Sequence, residues 1–176
     1  MNKYLLDVYN PFKVEFLYGK GSTLFDKKGN DYIDFTSGIG VSCLGHGNKK
    51  LVETISKQAK KFLHLSNIYP INTQEECAKK VAALSGYKNM QGFFCNSGAE
   101  ANETAIKFIR KYAKSKGIKK HNIITLENSF HGRTIATLNA TGQKDKQLGF
   151  EPFPNEFIYA KNLEDTKNKI DKNSVA

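Results

Sequence analysis

No apolar run in this sequence approaches the roughly 20 residues of a membrane-spanning helix. The opening stretch, Met1-Asn2-Lys3-Tyr4-Leu5-Leu6-Asp7, has no long apolar segment and no small-residue cleavage site. Neither a membrane partner nor a secretory signal is therefore expected. Cysteine is sparse: Cys43, Cys77 and Cys95 are odd in number and far apart, which suits a reducing cytoplasm and does not match the spacing of a zinc site. Acidic residues are outnumbered, 17 against 27 Lys and Arg, for a net charge of +10. The lysines are spread along the chain, the densest run lying on and after one amphipathic stretch from Lys107 to Lys120, as on a solvated helix face. Nucleic-acid motifs and interleaved aromatic residues are lacking, so nucleic acid is not an expected partner. Internal repeats and low-complexity segments are also lacking. What remains, 176 residues with 39% hydrophobic and 25% charged side chains, fits a soluble globular chain of one domain, or one domain with a small extension.

The most informative stretch is Phe93-Phe94-Cys95-Asn96-Ser97-Gly98-Ala99-Glu100-Ala101-Asn102-Glu103. It reads as an apolar strand running into a small-residue turn that opens a helix. The first backbone N–H groups of a helix lack internal partners and lie at the positive end of its dipole. A ligand can approach closely at Ser97, Gly98 and Ala99, so the turn is a candidate phosphate site. Ser97-x-x-Glu100 is equally a capping box, which opens many ordinary helices.

Residues 1–20 lack a clear period and read as an extended arm. Gly21 to Asp26 and Asp31 to Phe35 flank Lys27-Lys28-Gly29-Asn30 and read as a hairpin. Four glycines between Gly38 and Gly47 mark a loop with special backbone needs. Asn48 caps a helix whose apolar residues run from Leu51 to Leu63, and Thr73-x-x-Glu76 is a second capping box. Asn122 to Leu126 is a β-like run, short and continuous as in a buried parallel strand. Strand, helix and strand in this order form a βαβ pattern, so the expected fold class is α/β. Ligands of such sheets sit beyond the carboxyl ends of the strands, where Ser129-Phe130-His131-Gly132-Arg133-Thr134 follows the second strand. Residues 141–155 read as loop, Phe157-Ile158-Tyr159 as a further strand, and Asn162 to Ile170 as a short helix. An exposed Phe130 can stack on a planar cofactor, and the Arg133 fork matches a carboxylate. Alternatively, Phe130 docks in the core and Arg133 pairs with a surface acid. His131 is an acid–base group or a hydrogen-bonded spacer, while His46, His64 and His121 read as structural.

Asn96 to Lys107 together with Ser129 to Thr134 resembles the class III pyridoxal-phosphate aminotransferases, nearest their acetylornithine branch. Gly21 to Asp34, Ser37-Gly38-Ile39-Gly40-Val41 with Leu44-Gly45-His46, and Ser66-Asn67-Ile68-Tyr69 match that family in the same order; Pro70 departs from it, an aromatic residue being commoner there. The resemblance implies the fold type I architecture of such transferases. Residues 1–65 would be part of a small domain, and residues 66–176 the first part of the large cofactor domain. It implies pyridoxal 5'-phosphate, held at its phosphate by Ser97, Gly98 and Ala99 and stacked by Phe130. Arg133 would bind the substrate carboxylate, and Gly38 and Ile39 would lie near the substrate. Small-molecule partners would be an amino donor, N-acetylornithine, and 2-oxoglutarate, in a cytoplasmic homodimer serving arginine biosynthesis. Ornithine, succinylornithine or 4-aminobutyrate as donor, or a non-catalytic phosphate-binding module, are the rival readings. Family chains are about twice as long, and their second half carries the lysine that forms a Schiff base with the cofactor and the aspartate that pairs with its pyridine nitrogen. No catalytic residue is therefore expected within these 176 residues, and the chain alone is expected to be inactive and poorly folded.

Overall fold

The computed structural model describes residues 4–176. The chain forms two compact units, Met1–Asn72 and Thr73–Ala176, with the first three residues outside the description. In the first unit, β1 (Phe16–Lys20), β2 (Thr23–Asp26) and β3 (Asp31–Ile33) make one antiparallel sheet in chain order. The hairpin expected around Gly29-Asn30 is β2–β3. Its turn is held by Asp26, whose carboxylate accepts from the backbone N–H groups of Lys28 and Asn30, the Asn30 amide and the Tyr32 hydroxyl. Gly29 takes φ +83° there, where a side chain would be strained.

The arm expected over residues 1–20 needs correction, because its last five residues are β1. The pairing rests on cross-strand rings: Tyr18 stacks on Phe25 at 4.6 Å, and Phe16 meets Tyr32 edge-on at 5.3 Å. These partners lie on other strands, so no period within residues 16–20 marks the strand.

The glycine-rich loop folds back on this sheet. Gly21 and His46 exchange backbone hydrogen bonds of 2.9 and 2.8 Å. The His46 ring lies over Gly19, where a Cβ would come within 2.6 Å of it. His46 Nε2 also meets Asp34 Oδ2 at 2.8 Å, in the structural role expected of it. Between them, α1 (Ser37–Gly40) is one irregular turn, with Gly38 at φ +63°, ψ +36° and Ile39 at φ +63°, ψ +52°. Asn48 caps α2 (Lys49–Ala59) through Leu51 N–H at 3.0 Å. That helix stops at Ala59, short of the expected Leu63.

Helix α3 (Asn72–Ser85) leads into the second unit, all but its first residue belonging there. Thr73 lies inside it and is not its cap. The long helix α4 (Gly98–Ser115) follows, then β4 (Ile123–Leu126), α5 (Ile135–Ala140), α6 (Lys144–Gln147), β5 (Phe157–Ala160) and α7 (Leu163–Lys169). Strands β4 and β5 pair in parallel. The predicted parallel sheet is therefore present, but one strand later than expected. Phe93-Phe94-Cys95 is not a strand, since residues 92–95 make no backbone hydrogen bond among the described residues and a strand exists through its ladder. The other edge of β4 meets residues 173–176: Asn122 N–H donates to Asn173 O, and Ile124 N–H to Ala176 O. The stretch 141–155 contains the short α6, and the helix expected from Asn162 is α7, capped by Asn162, whose side chain accepts from Asp165 N–H at 2.9 Å.

The apolar core of the described residues lies wholly in this unit: Ile106 and Ala113 of α4, Ile123 of β4, Leu138 and Ala140 of α5, and Ala160 of β5. Beside it, Glu156 receives a two-pronged contact from Arg110 and faces His121 Nε2 at 2.9 Å. Burial works to raise the Glu156 carboxyl; the Arg110 and His121 contacts outweigh it and hold the group below its ordinary value. This cluster ties α4 to the starts of β4 and β5. Large apolar side chains on α2, α3 and α4, among them Ile55, Leu84 and Phe108, remain uncovered.

A pH measurement tests the anchoring of the glycine-rich loop. The His46 contact, with the Ser37 and Thr36 donors, lowers the Asp34 carboxyl from 3.8 to about 2. Its contribution to stability is thus complete above pH 3.8 and is lost as pH falls through about 2. NMR titration of the Asp34 side-chain carbon should give that midpoint; a midpoint near 4 would contradict the anchoring.

Candidate functional site

Helix α4 begins where its sequence places it. Ser97 adopts an extended conformation, and its hydroxyl accepts from Glu100 N–H at 3.2 Å. This is half of the expected capping box. The return bond is shifted by one residue, because the Glu100 carboxylate accepts from Asn96 N–H and not from Ser97. The first α-helical donor is Ala101 N–H, bonded to Ser97 O at 3.1 Å. The Gly98 and Ala99 N–H groups precede it and make no hydrogen bond among the described residues. A Cβ added to Gly98 would meet nothing within 4 Å. Two outward amides and an open approach at the positive end of an 18-residue helix fit a phosphate monoester. The Ser97 hydroxyl uses its oxygen in the cap and keeps its proton to donate.

The loop after β4 is built against this helix end. Its third residue, Ser129, donates from its hydroxyl to Leu126 O at 2.6 Å. His131 is held by its backbone on both sides: its N–H donates to Thr141 Oγ1 at 3.0 Å, and its carbonyl accepts from Asn102 Nδ2 at 2.7 Å. Its ring Nδ1 lies 3.3 Å from Ser129 Oγ. Gly132 has φ +141°, and a Cβ there would stand 2.5 Å from Thr137 Oγ1 and 2.9 Å from Ala99 Cβ. The loop thus rests directly on the first turn of α4. Thr134 completes the contact by donating to the Glu103 carboxylate. It also opens α5: Thr137 Oγ1 accepts Thr134 N–H at 3.1 Å, and the two hydroxyls are 2.6 Å apart.

Phe130 and Arg133 project from this anchored segment. Phe130 is 62% exposed, so it is not docked in the core. The Arg133 guanidinium carbon lies 5.5 Å from the Phe130 ring centre, a cation–π distance. No acid pairs with Arg133 among the described residues. An exposed aromatic face and a guanidinium side by side can take up a planar, carboxylate-bearing molecule.

Of the candidate residues, Ser97, Gly98, Ala99, Phe130 and Arg133 all belong to the second unit, where the loop and the helix start are in contact. Gly38 and Ile39 belong to the first unit. There Ile39 is 95% exposed and holds a left-handed backbone, strained for a β-branched residue. Sequence reasoning missed Asn102, Glu103, Thr137 and Thr141, the residues that fasten the loop. Thr134-x-x-Thr137 carried a weak signal as a helix start; Asn102 carried none, being 29 residues from its partner.

The fold is shared with solved transaminases. An ornithine aminotransferase from Toxoplasma gondii superposes with a TM-score of 0.89 at 27% identity, over 98% of this chain and 42% of that one; its structure was solved with partial occupancy of PLP at the active site. A Bacillus anthracis aminotransferase gives 0.82 at 30% identity, over 90% of this chain and 36% of its own. The class-III aminotransferase family model matches residues 7–176, and the chain belongs to that family. Among curated relatives, the acetylornithine aminotransferase of Wolinella succinogenes is 50% identical over 99% of this chain and 44% of its own length. That of Methanocaldococcus jannaschii is 49% identical over 89% of this chain and 39% of its own. The chain therefore spans less than half the length of the relatives it matches.

Gly132→Ala tests the close packing. The substitution adds a side chain at a strongly positive φ and against two neighbours. It is expected to destabilise the protein by about 1–3 kcal/mol, read by chemical denaturation. An unchanged midpoint would contradict the contact.

Proposed function

We propose that the protein that includes this chain transfers the amine of N-acetylornithine to 2-oxoglutarate, yielding the semialdehyde and glutamate. The observation that carries the reading is the docking of the Phe130–Arg133 loop on the first turn of α4. Family membership and the transaminase neighbours indicate pyridoxal phosphate as cofactor. When bound, it would supply an electron sink for breaking a C–H bond on the carbon that carries the amine being transferred.

The chain's own residues then divide the binding work. The Gly98 and Ala99 amides and the Ser97 hydroxyl hold the phosphate. The exposed face of Phe130 stacks on the pyridine ring. Arg133 takes the substrate carboxylate through paired N–H donors, for which a lysine is no substitute. Gly38 and Ile39 line the substrate side, and the strained left-handed turn supports a functional role for that loop. The expected division at residue 65, between a small-domain part and the cofactor domain, belongs to the same reading. Uncovered apolar faces support a further partner surface, in this reading a homodimer. The absence of any membrane-crossing helix among the described residues is compatible with a cytoplasmic enzyme of arginine biosynthesis. Acetylornithine is favoured over ornithine, succinylornithine and 4-aminobutyrate by the names of the relatives near 50% identity.

The test is glutamate formation by the protein at its natural length, with each of the four donors and 2-oxoglutarate. N-acetylornithine should give the highest kcat/KM, and a clear preference for another donor would overturn the assignment. A charge-assisted hydrogen bond is worth about 1.5–3 kcal/mol. Arg133→Ala should therefore raise KM for 2-oxoglutarate by about 10- to 100-fold, and an unchanged KM would remove Arg133 from carboxylate binding.

A further inference from the structure

We infer that Asn102 is a positioning residue that aims Phe130, through the backbone of His131, at the cofactor ring; this rests on the role proposed above for Phe130. Being 62% exposed, and touched on its ring by the equally outlying Arg133, Phe130 is not fixed by a packed core. Its direction comes from the main chain that carries it. The next residue, His131, has both peptide groups fixed by side chains from different helical segments. Thr141, at the end of α5, accepts its N–H, and Asn102, in the second turn of α4, donates to its carbonyl at 2.7 Å. Thr141 Oγ1 is itself fixed, donating to Thr137 O at 2.9 Å. Among the contacts of the loop with α4, the Asn102 bond is the one that holds the residue next to Phe130 to the helix whose first amides would hold the phosphate. It therefore sets the distance between the two halves of the site.

The chemistry of the link is specific. The His131 carbonyl needs a donor, and the Asn102 amide supplies one. An aspartate of the same shape would turn an acceptor toward an acceptor. The docking of the loop does not depend on this bond alone, since Gly132 on Ala99 and Thr134 on Glu103 are separate contacts. Loss of the amide donor should leave the loop attached but wrongly aimed.

The experiment uses the natural-length protein and the variants Asn102→Asp and Asn102→Leu. Pyridoxal phosphate is titrated in, its binding is followed by absorbance, and the visible circular dichroism of the bound cofactor is recorded from pH 7 to pH 5. Melting is measured without cofactor. Both variants should bind about tenfold more weakly than wild type at pH 7, the loss of one hydrogen bond with its acceptor left unpaired. Both should show a weakened dichroic band. Only Asn102→Asp should recover toward wild type as pH falls, because the His131 carbonyl facing it favours the neutral carboxyl and raises its pKa, and the protonated carboxyl becomes a donor. The leucine variant should not recover.

Wild-type affinity and dichroism in Asn102→Asp at pH 7 would overturn the inference. So would equal, pH-independent losses in the two variants, accompanied by a matching fall in melting temperature, which is the mark of a merely structural residue. If wild type itself binds no pyridoxal phosphate, the proposed function fails and this inference falls with it, a result distinct from either of the others.

Discussion

At Gly132 the chain has no side chain, and Ala99 and Thr137 occupy the space beside it. This close approach joins two segments that are remote in sequence, the opening turn of α4 and the loop after β4. Each half alone is ordinary. A helix start with unpaired amides is an anion site in waiting, and an exposed phenylalanine beside an arginine is a common surface pair. In contact they present unbonded backbone amides, an exposed aromatic face and a guanidinium from one body. The positive φ of Gly132, the Asn102 amide and the Thr134–Glu103 contact all serve that approach.

The α4 end of the site was legible in the sequence because its signals are local. Ser97, Gly98 and Ala99 announce a narrow helix start, and Asn48 announces a cap that the structure confirms. The hairpin at Gly29 was legible for the same reason. What was not legible depends on partners far along the chain. β1 exists through rings on β2 and β3, and the Asn102–His131 bond spans 29 residues. Phe93-Phe94-Cys95 shows the converse: an apolar run has strand composition, but composition supplies no ladder.

Surface accounts for much of the remaining physics. Six apolar residues are buried among those described, all in the second unit, while Ile55, Leu84, Phe93 and Phe108 stay exposed. Apolar faces of this extent belong to interfaces. The family relatives are more than twice as long, so the covering surfaces belong to the proposal and not to these residues. The positive charge has a simpler reading. Lys107, Lys111 and Lys114 lie along α4, with Lys119 and Lys120 just beyond it, and all are solvated.

The most direct measurement is a crystal structure of the natural-length protein with pyridoxal phosphate. The account predicts phosphate oxygens within hydrogen-bonding distance of the Gly98 and Ala99 amides and the Ser97 hydroxyl, with the Phe130 ring stacked on the pyridine. A cofactor phosphate bound away from the start of α4, or a pyridine ring that Phe130 does not touch, would contradict it.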